Sequence, residues 1–198
     1  MRTLVRNADG SPRRYVEVVE SARGPLRYVG VLPRYFGGRY SRGGEPQYVA
    51  GEDFTPATIE LAEGGHLYDV RAGEYLGETD TIQARLATGV AALYARLPYR
   101  LTGLAVECAQ TIGPGETLPV RCTVVTERAR PGDHVVHVEL AEAEGHMIRP
   151  YAVNLLAEGR AGETQFALPL NASPGEWTVR AREAASGVTA ATTVTVRQ

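Results

Sequence analysis

Gly-Glu followed by Thr, Tyr or Trp recurs along this chain at Gly73, Gly77, Gly115, Gly162 and Gly175, usually where an alternating segment begins. Glycine supplies the turn conformations that other residues resist, and the residue after the pair opens a strand. No long run carries the i, i+3, i+4, i+7 pattern of an amphipathic helix. The best helical candidate, Arg85–Leu97, is broken by Gly89 and closed by Pro98, and reads as two strands around a turn at Thr88-Gly89. An all-β chain follows.

In the first half the expected strands are Tyr15–Val19, Leu26–Leu32, Ala57–Leu61, His66–Val70, Thr81–Leu86 and Val90–Leu97, with Gly64-Gly65 as a turn. The second half repeats the grammar at Leu101–Cys108, Glu116–Thr126, His134–Leu140, Met147–Leu156, Thr164–Leu170, Trp177–Glu183 and Thr189–Val196. Seven short strands with turns between them fit an immunoglobulin-like sandwich, with Trp177 as its anchor. The expected architecture is two consecutive antiparallel β-sandwiches, residues 1–98 and 99–198, meeting at Leu97–Arg100. A chain of 198 residues is long enough for two such cores.

The stretch Gly64–Ile82, GGHLYDVRAGEYLGETDTI, gathers a histidine, two aspartates, two glutamates and two tyrosines. Two carboxylates across a cleft would suit glycoside hydrolysis, with Asp69 and Asp80 as the pair. Placed on strands, however, both read as strand-end residues whose side chains bond nearby amides. Scaffold is the favoured reading, and no catalytic residue is assigned.

Other chemistry is equally sparse. His134 and His137 lie three apart on an expected strand and so point to opposite faces, which does not suit a shared metal. Ser41, within Gly38–Gly43, misses the GxSxG spacing by one residue. No metal or cofactor is expected. Cys108 and Cys122 flank the turn at Gly113–Glu116, and a hairpin centred on Gly115 sets them opposite each other. That leaves two readings, a cross-strand disulfide or two buried thiols acting as small hydrophobes.

Between Pro33 and Pro56 runs a glycine-rich stretch without usable periodicity. It holds the candidate ligand-binding residues Tyr35, Phe36, Arg39, Tyr40 and Tyr48, flanked by Arg34 and Arg42. Aromatic rings stack on sugar faces and guanidinium groups give directional hydrogen bonds. The competing reading packs the same rings onto the protein. A net charge of −2 argues against a nucleic-acid partner. All 21 basic residues are arginine, in keeping with a GC-rich genome and not with a selected basic surface. No apolar run approaches the ~20 residues that span a bilayer, so membrane insertion is not expected. MRTLVRNADG has no leader character. The expectation is a cytoplasmic protein or, as part of an exported chain, an extracellular or periplasmic one.

Thr58–Tyr99, with its YDVRAGEYLG turn and terminal LPY, resembles the β-sandwich accessory region that closes many bacterial glycoside hydrolase chains. Leu101–Val196 is similar to bacterial immunoglobulin-like and macroglobulin-type modules, in its ending of strand, Pro-Gly turn, Trp strand, Ser-Gly turn and final strand. The resemblance implies a non-catalytic module docking to a catalytic partner or a polysaccharide, with self-association as a further option. The alternatives are a carboxylate-dependent glycosidase and a structural spacer of a surface protein.

Overall fold

The computed structural model describes residues 3–34, 54–127, 130–142 and 147–197. They form strands without a helix, and two compact units divide between Pro98 and Tyr99.

The first unit holds β1 (Leu4–Asn7), β2 (Val16–Arg23), β3 (Leu26–Pro33), β4 (Thr55–Asp69), β5 (Glu74–Leu86) and β6 (Ala92–Leu97). They make one six-stranded sheet in the order β1-β4-β6-β3-β2, with β5 also on β4. The key element is β4. Its first half pairs with β1 and its second half with β6, while β5 pairs with both halves. A single sheet therefore supplies both layers of this sandwich. Val5, Ile59 and Ile82 from one part share a core with Val29, Val31, Leu67 and Tyr94 from the other.

The structure differs from the expectation at Gly64-Gly65, which is not a turn. Gly65 pairs with Thr79 inside β4, beyond an irregularity that begins after Glu60. A Cβ on Gly65 would stand 2.8 Å from the carbonyl oxygen of Leu97, so glycine is needed because the β6 backbone comes so close. Arg96 fastens the same place, donating to the Gly64 carbonyl at 2.8 Å and pairing with Glu63 at 2.9 Å. The expected pieces 57–61 and 66–70 are thus one strand, and β5 likewise runs unbroken from Glu74. Strand β1 had no signal, since four residues cannot show a period.

The second unit holds β7 (Leu101–Cys108), β8 (Thr111–Ile112), β9 (Thr117–Thr126), β10 (His134–Ala141), β11 (Met147–Ala157), β12 (Ala161–Ala167), β13 (Gly175–Glu183) and β14 (Thr189–Val196). The seven expected strands are present, and β8 is an addition lying parallel to β14. The sheets are β11-β10-β13-β14-β8 and β12-β9-β7, the two layers of an immunoglobulin-like sandwich. Alternation sends Val136, Val138, Trp177, Val179 and Val194 inward from one sheet and Leu118, Val120, Cys122 and Val124 from the other. Trp177 is buried and its indole N–H donates to the Ser173 carbonyl at 3.0 Å.

Candidate functional site

The aromatic loop residues Tyr35, Phe36, Arg39, Tyr40 and Tyr48 lie outside the described residues. Of that segment's basic flank, Arg34 is described, and it pairs with Glu17.

The two aspartates of Gly64–Ile82 are held apart. Asp69 ends β4, where its Oδ1 accepts the amides of Arg71 and Ala72 at 2.9 Å each and fixes the following turn. Its backbone partner is Glu74, six positions along β5 from Asp80. At about 3.3 Å per residue that is roughly 20 Å, far beyond the spacing of a retaining or inverting carboxylate pair. Asp80 is not a strand end; it sits within β5 and accepts from its neighbour Thr81 at 2.9 Å. The paired-acid reading of these two residues is thereby overturned. The same stretch does bring His66 and Tyr75 together, Nδ1 to hydroxyl at 2.8 Å, with Tyr68 against the tyrosine ring at 5.1 Å.

Both cysteines are free. The hairpin register is offset by two from the expectation, because its centre falls at Pro114 and not Gly115. Cys108 faces Val120, and Cys122 faces Val106. The sulfurs thus belong to diagonal neighbours on one face, where backbones stand about 7–8 Å apart, at the limit for a bridge. Burial pushes the Cys122 thiol up to about 11 and raises that of Cys108 as well. Among the described residues no three His, Cys, Asp or Glu side chains gather as a metal site.

The densest polar chemistry is a chain of side chains inside the second unit. Gly132 N–H donates to the Tyr99 hydroxyl at 2.7 Å, and that hydroxyl stands 2.9 Å from His134 Nε2. His134 Nδ1 lies 3.0 Å from Glu183 Oε1. The other carboxylate oxygen accepts the Ser186 amide and hydroxyl, both at 2.6 Å, and the Ala185 amide at 3.1 Å.

One proton arrangement satisfies the whole chain. The amide gives to the tyrosine oxygen, whose own proton goes to Nε2. Nδ1–H then gives to the carboxylate. Burial raises the Glu183 carboxyl, but the bonds from His134 and Ser186 outweigh it, and the net direction is down. Tyr99 moves up, chiefly by burial, with the Gly132 amide opposing.

The His134 and Glu183 side chains are 0% and 1% exposed, so no substrate reaches them. The geometry suits a structural lock joining the first residue of the unit to β10 and β13. His137 faces the other way, as expected for three positions along a strand. Its Nδ1 meets Asn154 Oδ1 at 2.8 Å and its Nε2 meets Glu139 Oε1 at 2.9 Å.

The sequence matches no protein-family model and no curated protein. Among solved structures, a Salmonella alpha-2-macroglobulin mutant aligns over 92% of this chain and 12% of its own, at 16% identity and a TM-score of 0.42. A beta-glucosidase from Listeria innocua in complex with isofagomine aligns over 62% of this chain and 19% of its own, at 18% identity and a TM-score of 0.31. A DUF4785 family protein from Legionella pneumophila aligns over 91% and 64%, at 10% identity and a TM-score of 0.39. The chain spans less than two thirds of each of these structures, and its fold stands on its own strands and sheets.

Proposed function

We propose that this chain is a non-catalytic contact module that docks onto a catalytic partner or a polysaccharide. The observation that carries the reading is how its reactive side chains are used. Asp69 braces a turn, Asp80 lies roughly 20 Å away, and His134 with Glu183 is sealed in a core. Among the described residues each is explained by its place in the fold, which leaves sheet edges and outer faces as the working surfaces there. The resemblance of Thr58–Tyr99, in its YDVRAGEYLG turn and terminal LPY, to the closing region of glycoside hydrolases is what favours a sugar-cleaving partner.

The test is retention of the purified chain on a panel of soluble glycans and insoluble cell-wall polysaccharides, with reducing-end release measured in parallel. Retention without release is expected. Release of reducing ends by the chain alone overturns the reading, and no retention anywhere on the panel overturns its polysaccharide arm.

A further inference from the structure

Strand β2 ends the first unit's sheet and pairs only with β3 among the described residues. Its register with β3 is continuous over all eight residues, without a bulge or a proline. Bulges and prolines are two of the usual devices that blunt an edge; a third, charge, is present at Glu17, Glu20 and Arg23. The direction of its free backbone groups follows from one bond. Arg34 N–H donates to the Tyr15 carbonyl at 2.7 Å, in the register that pairs 16 with 33. Odd-numbered residues therefore turn their amides and carbonyls towards β3. Val16, Val18, Glu20 and Ala22 turn theirs outward. On the outer face Val19 is 57% exposed, the largest exposure among the large hydrophobic residues described in this unit.

We propose that β2 pairs with β2 of a second copy, antiparallel about a two-fold axis through Val19. A two-fold axis normal to the sheet keeps each residue on its own face, so opposed positions must share parity. Centring on Val19 sets Val18 against Glu20 and Val16 against Ala22 of the other copy. All four outward residues then exchange bonds in both directions, about eight backbone hydrogen bonds in total, and none is left over. Val19 meets its own copy in a non-hydrogen-bonded position, where Cα atoms approach to about 4.5 Å. Glu17, which also pairs with Arg34 of its own chain, comes diagonally within reach of Arg23 of the other copy, twice by symmetry. Moving the axis to Glu20 would instead oppose Glu20 to itself, two like charges at the centre of the interface. The interface goes beyond the docking reading above and does not depend on it.

Analytical ultracentrifugation over a concentration series tests it, with thermal melting as the folding control. The full chain is expected to show a reversible monomer–dimer equilibrium. Glu20→Pro removes an outward N–H and leaves every β2–β3 bond intact. Val19→Asp places two carboxylates on the axis. Each is expected to raise the dimer dissociation constant by at least about tenfold, with melting preserved. Leu76→Asp, an equally apolar exposed change on β5, is expected to leave it unchanged. Should Glu20→Pro lose its melting transition, Val19→Asp decides alone. A wild-type chain that stays monomeric at every concentration overturns the proposal, as does a dimer that a folded Val19→Asp leaves intact.

Discussion

Replacing Glu183 with glutamine changes one buried atom, yet the misfit travels through the whole hydrogen-bond chain. The amide oxygen takes the three-donor side, where Ser186 and Ala185 give N–H and O–H. Its NH2 then faces His134 Nδ1, which must switch from donor to acceptor. The imidazole proton moves to Nε2 and is given to Tyr99, whose oxygen now accepts twice. The tyrosine's own proton has lost its acceptor.

The cost has two parts and one offset. Four bonds lose charge assistance at about 1 kcal/mol each and one buried hydroxyl is stranded at about 1–2 kcal/mol, while removing the buried charge recovers about 2–3 kcal/mol of desolvation, leaving roughly 3 kcal/mol. Urea unfolding of both chains at neutral pH, followed by Trp177 fluorescence, reads this directly, since Trp177 lies in the same core. The acid side gives a second check. A carboxyl held below its ordinary value of 4.5 contributes stability above that value and loses it as pH falls through the folded pKa. The difference between wild type and Glu183→Gln should therefore shrink as pH drops below 4.5. A loss under about 1 kcal/mol at neutral pH, within the range of a single neutral bond, refutes the proton arrangement.

Other expectations follow from the same geometry. Gly65→Ala should cost about 1–3 kcal/mol in the first unit, because its Cβ meets the Leu97 carbonyl at 2.8 Å; an unchanged melting temperature would show that β6 yields freely. With Ellman's reagent at neutral pH, Cys122 should stay unreacted in the folded chain and both thiols should titrate in denaturant. The His137 imidazole, raised chiefly by the Asn154 bond with Glu139 adding, should titrate by NMR above 6.5. Its stabilisation is present below that value and fades as pH rises through the folded pKa, and Asn154→Leu should lower the midpoint.

Strand grammar was readable because each inward face alternates, as at Leu118, Val120, Cys122 and Val124. Gly64-Gly65 misled because glycine serves two needs, a turn or a close backbone approach, and only the partner strand distinguishes them. The cysteine register slipped for a related reason: a four-residue turn admits two centres. The buried chain was half legible. His134 shares parity with Val136 and Val138, and Glu183 with Trp177 and Val179, so each strand carries one ionisable group on its apolar face. Neither neighbour signals the other across 49 positions, and Tyr99 lies 35 before the histidine. Only folding brings the three together.

Because β4 and β5 serve both layers of the first sandwich, neither layer can peel away while the other persists. Loss of the pairing around Ile59 removes the strand on which Leu67 stands, so the two halves should melt as one cooperative block. Amide exchange at Val29 and at Ile82 should then report the same opening free energy, although the two residues belong to opposite walls of the core.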